Sequence, residues 1–211
     1  MDFTYRPINI NEYFDKIFYI NLDKDVHRNE NLLQQFERFN ITNFERVSGV
    51  RVMRIPERSQ YRNFIKSDSK YIMGQLGCRA SHISAVQIAK ARGYSRILIL
   101  EDDILFLEDP SALLMANQWL HNDWDMLYFG GLVEPFFRNQ IVCAHAYGIN
   151  SNLFDDILEL GPASGMEIDN FYAKIIQHMS YNHTNFGKYR IRIVQPFNKI
   201  IQDKNHESNI I

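Results

Sequence analysis

Three consecutive carboxylates, Glu101-Asp102-Asp103, follow directly on the apolar run Ile97-Leu98-Ile99-Leu100. Like charges this close make each other harder to ionise. Ile104-Leu105-Phe106-Leu107 then resumes the apolar pattern, so the acids interrupt a hydrophobic stretch instead of closing it. Such an interruption costs stability unless something positive sits there, and carboxylate oxygens suit a hard divalent cation. A solvated turn is the plainer alternative.

The elements around the acids give them a place. Arg96 to Leu100, preceded by Gly93 and rich in Ile and Leu, predicts a strand buried on both faces. Its acids must then lie just past the carboxyl edge, where open α/β sheets bind ligands. Lys16 to Leu22 is a second strand candidate, and Asp23-Lys24-Asp25 a turn into a helix over Val26–Phe39, with Leu32, Leu33, Phe36 and Phe39 at helical spacing. Phe44 to Ser48 completes a parallel strand-helix-strand unit.

Further along, Gly74 opens a helix to Arg92, stopped by Gly93. Asp109-Pro110 caps a helix through Leu120. Asp125 to Gly131 reads as a strand running into Gly130-Gly131, a pair that permits close backbone approach to a ligand. Gln140 to Ile149 is expected as one strand, 152–160 and 168–179 as helices, and 189–194 as extended chain. Three segments lack regular pattern: an N-terminal arm over 1–15, a basic stretch over 51–73 that suits a mobile lid or a solvated loop, and a tail over 196–211.

Composition narrows the function classes. A net charge of -2 offers no whole-chain attraction for nucleic acid or an anionic membrane, so any phosphate binding must be local. The two cysteines, Cys78 and Cys143, have no finger spacing and are expected as reduced core thiols. No apolar run approaches the roughly 20 residues of a membrane span, and the polar start Met1-Asp2-Phe3-Thr4 is no secretory signal, so a cytoplasmic location is expected. The sequence contains no GxGxxG after a strand, no GxxxxGK[ST], no HExxH and no GxSxG. Common dehydrogenases, P-loop kinases, zincins and serine hydrolases are thereby disfavoured.

Three ordered motifs carry a resemblance. Phe18-Tyr19-Ile20-Asn21-Leu22-Asp23 with Arg28, then Gly74-x-x-Gly77-Cys78-x-x-Ser81-His82, then Leu98-Ile99-Leu100-Glu101-Asp102-Asp103 resemble glycosyltransferase family 25, which includes lipooligosaccharide galactosyltransferases and collagen hydroxylysine galactosyltransferases. Ala146-Tyr147-Gly148-Ile149, Ile168-Asp169, Pro196, Gln202 and Ser208 extend the likeness to the end of the chain.

The resemblance implies an α/β fold of GT-A type in a single domain, with a central, mostly parallel sheet flanked by helices. It implies a UDP-sugar donor, a glycan or hydroxylysine acceptor, and Mn²⁺ or Mg²⁺ held by acids of the DxD type. Carried over by position, Asp103 would bind the metal, Glu101 would accept from the donor ribose or from metal-bound water, and Asp102, the most ambiguous of the three, would lie at the donor. Asn21, Leu22 and Arg28 would lie beside the uridine half, although Arg28 could equally be a surface helix residue. Ser81 and His82 would be scaffold or donor contacts. Gln75 stands where the family usually has Glu.

For an inverting transfer a base must take the acceptor proton. Asp169 is the candidate and Glu167 the rival, with an N-cap as the plainer role for Asp169. His206 could complete the metal shell, or belong to a disordered tail. Two alternatives to a glycosyltransferase remain at this stage: a sugar-nucleotide binding module without transfer activity, and a nucleotidyltransferase on a related sheet.

Overall fold

A computed structural model describes residues 7–54, 69–120, 123–134, 140–177, 179 and 188–203. In chain order these form α1 (Ile10–Tyr13), β1 (Lys16–Asn21), α2 (Val26–Arg38), β2 (Phe44–Ser48), α3 (Ser69–Ala91), β3 (Arg96–Glu101), β4 (Ile104–Phe106) and α4 (Pro110–Ala116). There follow β5 (Met126–Tyr128), β6 (Leu132–Glu134), β7 (Gln140–Val142), β8 (Ala146–Asn150), α5 (Phe154–Ala163), α6 (Ile168–Phe171), β9 (Ile191–Ile193) and β10 (Ile200–Gln202).

The main sheet has six strands in the order β2-β1-β3-β8-β5-β9. β8 alone runs against its neighbours, and the other strands are parallel. β3 is central, as its composition requires: Ile97, Leu98, Ile99 and Leu100 are all 0% exposed. Ile97 and Ile99 pack with Ala85, Val86, Ile157 and Phe171 on one face, whereas Leu98 and Leu100 meet Leu32, Phe36 and Leu113 on the other. That alternation is the period of a strand covered by helices on both sides.

Several sequence expectations change here. From residue 7 to 15 the N-terminal stretch is no loose arm, since it carries α1 and buries Ile10 and Phe14 in the core; residues 1–6 lie outside the described residues. α3 is already formed at Ser69, so Gly74 and Gly77 lie inside it. A Cβ at Gly77 would come within 2.4 Å of the Val50 carbonyl oxygen, so this glycine serves a close helix-to-loop contact. The expected strand over Gln140–Ile149 is two strands, separated where Cys143 takes φ 75° and the chain leaves the β6–β7 hairpin for the main sheet. The helix expected over 168–179 passes into a π-helix over Tyr172–Gln177. The tail is partly regular, because β10 pairs antiparallel with β4. Of the expected lid, residues 55–68 lie outside the described residues.

Candidate functional site

The acids stand at the carboxyl end of β3, at the floor of a cavity of about 320 Å³. Its walls come from four places: the β1–α2 turn (Leu22, Lys24, Asp25) with Arg28 of α2, the segment Gly49–Met53 after β2, the face of α3 carrying Lys70, Met73, Gly74, Cys78, Ser81 and His82, and Gln202 of β10. The Gly49–Met53 wall is held by Ser81, whose Oγ accepts from the Val50 N–H at 2.7 Å and donates to the Gly77 carbonyl at 2.7 Å. Ser81 thus braces this wall while also lining the cavity.

Each acid has a different set of partners. Asp102 accepts from Asn21 Nδ2 at 2.7 Å and pairs with Arg28 Nη1 at 3.1 Å. Asn21 is itself fixed, since its Oδ1 accepts from Arg46 Nε at 2.9 Å. Glu101 is engaged through both oxygens, Oε1 by His82 Nε2 at 3.2 Å and Cys78 Sγ at 3.6 Å, Oε2 by Gln202 Nε2 at 3.1 Å. Asp103 meets Arg28 Nη1 at 3.5 Å through Oδ2, while its Oδ1 is buried without a hydrogen-bond partner among the described residues.

Arg28 is therefore no surface residue; it is 8% exposed and lies between two of the acids. Its cation does part of the neutralisation that the sequence demanded.

That neutralisation is incomplete. Burial, reinforced by Asp102, pushes Glu101 up to about 7. Burial, reinforced by Glu101 and opposed by Arg28, pushes Asp103 up to about 7. Asp102 is also raised by burial, against the pull of Asn21 and Arg28. A cluster whose carboxyls resist ionisation, with one buried carboxylate oxygen unpartnered, fits a divalent cation, which would favour the ionised forms and take up the vacant lone pairs.

His82 is 0% exposed, and burial lowers it to about 4. Its contact with Glu101 is therefore a neutral hydrogen bond, not an ion pair. Its Nδ1 lies 2.6 Å from the Tyr147 hydroxyl, which lies 3.2 Å from that of Tyr172.

Asp169, Glu167 and Gly130 fall outside the cavity lining. Asp169 sits in the first turn of α6, but the cap position belongs to Glu167; Asp169 Oδ1 accepts instead from the Ala144 N–H at 3.0 Å. Burial and then Glu101 raise Asp169 to about 6. Glu167 accepts from the amides of Gln75 and Asn170. Gln in place of the family's Glu at 75 thus avoids a carboxylate pair. Gly130 approaches its own chain and no open space, as a Cβ there would lie 1.9 Å from the Ile200 carbonyl oxygen. His206 lies outside the described residues.

Sequence reasoning missed Cys78 and Gln202 as neighbours of Glu101, and Lys24 and the Gly49–Met53 segment as walls. Helical spacing of Cys78 with His82 was the available signal for the first.

Among the described residues no helix is long and apolar enough to cross a membrane. A family model described as glycosyltransferase family 25, LPS biosynthesis protein, matches residues 14–146. None of the curated protein sequences compared with the chain matches it. Among solved structures, the chain is similar to a glycosyltransferase involved in the glycosylation of the major capsid of PBCV-1, with TM-score 0.50 and 8% identity over 86% of this chain and 81% of that one. A Bacillus anthracis protein assigned as a glucose-1-phosphate thymidylyltransferase follows at TM-score 0.45 and 9% identity, covering 85% of each chain. At 8% identity the likeness to the first of these is one of fold.

Proposed function

Because the chain belongs to glycosyltransferase family 25, we propose that its acid-floored cavity binds a UDP-sugar with Mn²⁺ or Mg²⁺ and transfers the hexose, galactose or glucose, to a hydroxyl of a glycan or of hydroxylysine. The observation that carries this reading is the buried Oδ1 of Asp103, without a partner among the described residues, in a cavity whose walls also bear Lys24, Arg28, Arg51 and Lys70. Acids alone would repel a diphosphate. Acids that hold a dication, faced by cations, attract one.

In this reading Asp103 holds the ion, and Glu101 accepts from the ribose or from metal-bound water. The ion, when bound, offsets the negative charge that grows on the departing diphosphate. Arg28 holds Asp102 and Asp103 in place, and Asn21 fixes Asp102 against rotation. Asp169, with its raised affinity for a proton, takes the acceptor hydroxyl's proton as the acceptor oxygen bonds to the anomeric carbon and the bond from that carbon to the diphosphate breaks, releasing UDP.

The test is incubation with UDP-sugars, Mn²⁺ and candidate acceptors, following UDP release, with calorimetry of UDP binding alongside. Metal-dependent UDP binding with turnover is expected. Absence of both would overturn the reading. Binding without turnover would favour a sugar-nucleotide binding module, a reading supported by Asp169 and Glu167 lying off the cavity lining. Release of pyrophosphate from a nucleoside triphosphate would favour a nucleotidyltransferase.

A further inference from the structure

The side of Glu101 facing α3 differs in chemistry from the side facing the other acids. Cys78 Sγ, His82 Nε2 and a Glu101 oxygen all lie within 4.8 Å of one another. Cys78 and His82 are four residues apart on α3, which stacks them on one helix face, and β3 brings Glu101 up against that face. All three line the cavity, Cys78 and Glu101 partly exposed and His82 buried.

We propose that Cys78, His82 and Glu101 form a second cation site, selective for a borderline-soft ion of the Zn²⁺ class, separate from the all-oxygen position at Asp103. Thiolate, imidazole and carboxylate together are the ligand types of tetrahedral zinc, whereas Mn²⁺ and Mg²⁺ favour oxygen. Three protein ligands leave the fourth position to a water from the cavity.

The surroundings are built for imidazole ligation. A ligating histidine needs its other ring nitrogen fixed by a partner, and His82 Nδ1 has the Tyr147 hydroxyl at 2.6 Å. Without an ion, Nε2–H donates to Glu101 and Tyr147 donates to Nδ1. With an ion on Nε2, the neutral ring changes tautomer by exchange with solvent, Nδ1–H donates to the Tyr147 oxygen, and the Tyr147 hydroxyl turns toward Tyr172, 3.2 Å away. The chain of hydroxyls gives His82 Nδ1 a partner in either arrangement.

Binding the dication displaces the Cys78 thiol proton to solvent, and that of Glu101 where it is protonated. Sulfur, nitrogen and oxygen lone pairs replace water on the ion, and nothing is oxidised or reduced. A filled site would hold Glu101 toward α3 and away from the nucleotide side, so Zn²⁺ would act against the transfer reaction.

Titration of the whole chain with Co²⁺, a spectroscopic substitute for Zn²⁺, tests this directly. One equivalent should produce a thiolate-to-cobalt band in the near ultraviolet and visible bands of four-coordinate intensity, both removed by Zn²⁺. The thiolate band should vanish in Cys78→Ser and persist in Cys143→Ser, which controls for the other thiol. It should also persist in Asp103→Asn, which separates this site from the proposed nucleotide site. Circular dichroism of each variant checks folding, and should Cys78→Ser not fold, His82→Gln should weaken Co²⁺ binding at least tenfold. A wild-type titration without a thiolate band, or a band that depends on Cys143, overturns the proposal whether or not UDP binds.

Discussion

Arg28 of α2 and Asp102 at the end of β3 stand 74 residues apart in sequence and 3.1 Å apart in space, with side chains only 10% and 11% exposed. The same guanidinium reaches Asp103. A buried cation shared by two acids couples the first strand-helix unit to the central strand, and removing it leaves both charges without their partner.

Arg28→Met is accordingly expected to destabilise the fold by about 3 kcal/mol at neutral pH, in the range for breaking a buried ion pair. The loss should shrink on acidification, because protonated carboxyls need no counter-charge. Urea unfolding at neutral and mildly acidic pH measures both, and a pH-independent effect would remove the electrostatic explanation.

Stability should also depend on pH in the unmodified chain. Folded Glu101 and Asp103 titrate at about 7 and Asp169 at about 6, above the usual carboxylate values of about 4. Between those limits the folded chain binds more protons than the unfolded one, so stability falls as pH rises through this window and levels off above it. Asp123, Asp125 and Asp156 are lowered by basic partners and act oppositely, their contribution being lost in stronger acid. His82, lowered to about 4 by burial, offsets part of the fall up to about pH 6.5. The descent begins at the unfolded carboxylate value, so the stability maximum lies at about pH 4, with saturating Mn²⁺ flattening the descent above it. Denaturation midpoints across pH, with and without Mn²⁺, provide the check.

Gly130→Ala places a methyl against the Ile200 carbonyl and His145. The clash falls on backbone, so β10 must shift or detach, at a cost of about 1–3 kcal/mol by analogy with overpacked cores. Gln202 would then leave Glu101. Unfolding midpoints and faster proteolytic clipping near residue 200 would report it.

Asp169→Asn retains an oxygen for the Ala144 N–H but cannot take a proton. If it is the base, transfer should slow about 10²–10⁴-fold while UDP affinity stays within about twofold. An unchanged rate would remove Asp169 from the chemistry.

Asp103→Ala is expected to abolish metal-dependent UDP binding and leave the metal-free fold at least as stable, since deleting one of three crowded carboxylates relieves repulsion. Calorimetry and thermal melting read the two effects separately.

The sequence by itself determined the central strand, the helices on either face, and the place of the acids at a sheet edge, because these follow from local periodicity. Ile97 to Leu100 cannot face water, and Glu101 to Asp103 cannot lie in the core without compensation. The family motifs, too, are strings of adjacent residues and are legible as such. Only the tertiary structure decided what each acid touches. Arg28 in place of solvent, His82 and Cys78 on one oxygen of Glu101, and Gln202 on the other all arrive from distant parts of the chain. The same holds for Gly130, where close approach was legible but its object was not: the neighbour is β10, 70 residues on. Spacing along a chain constrains partners a turn or two away; contacts between elements depend on how those elements pack, and no local pattern records that.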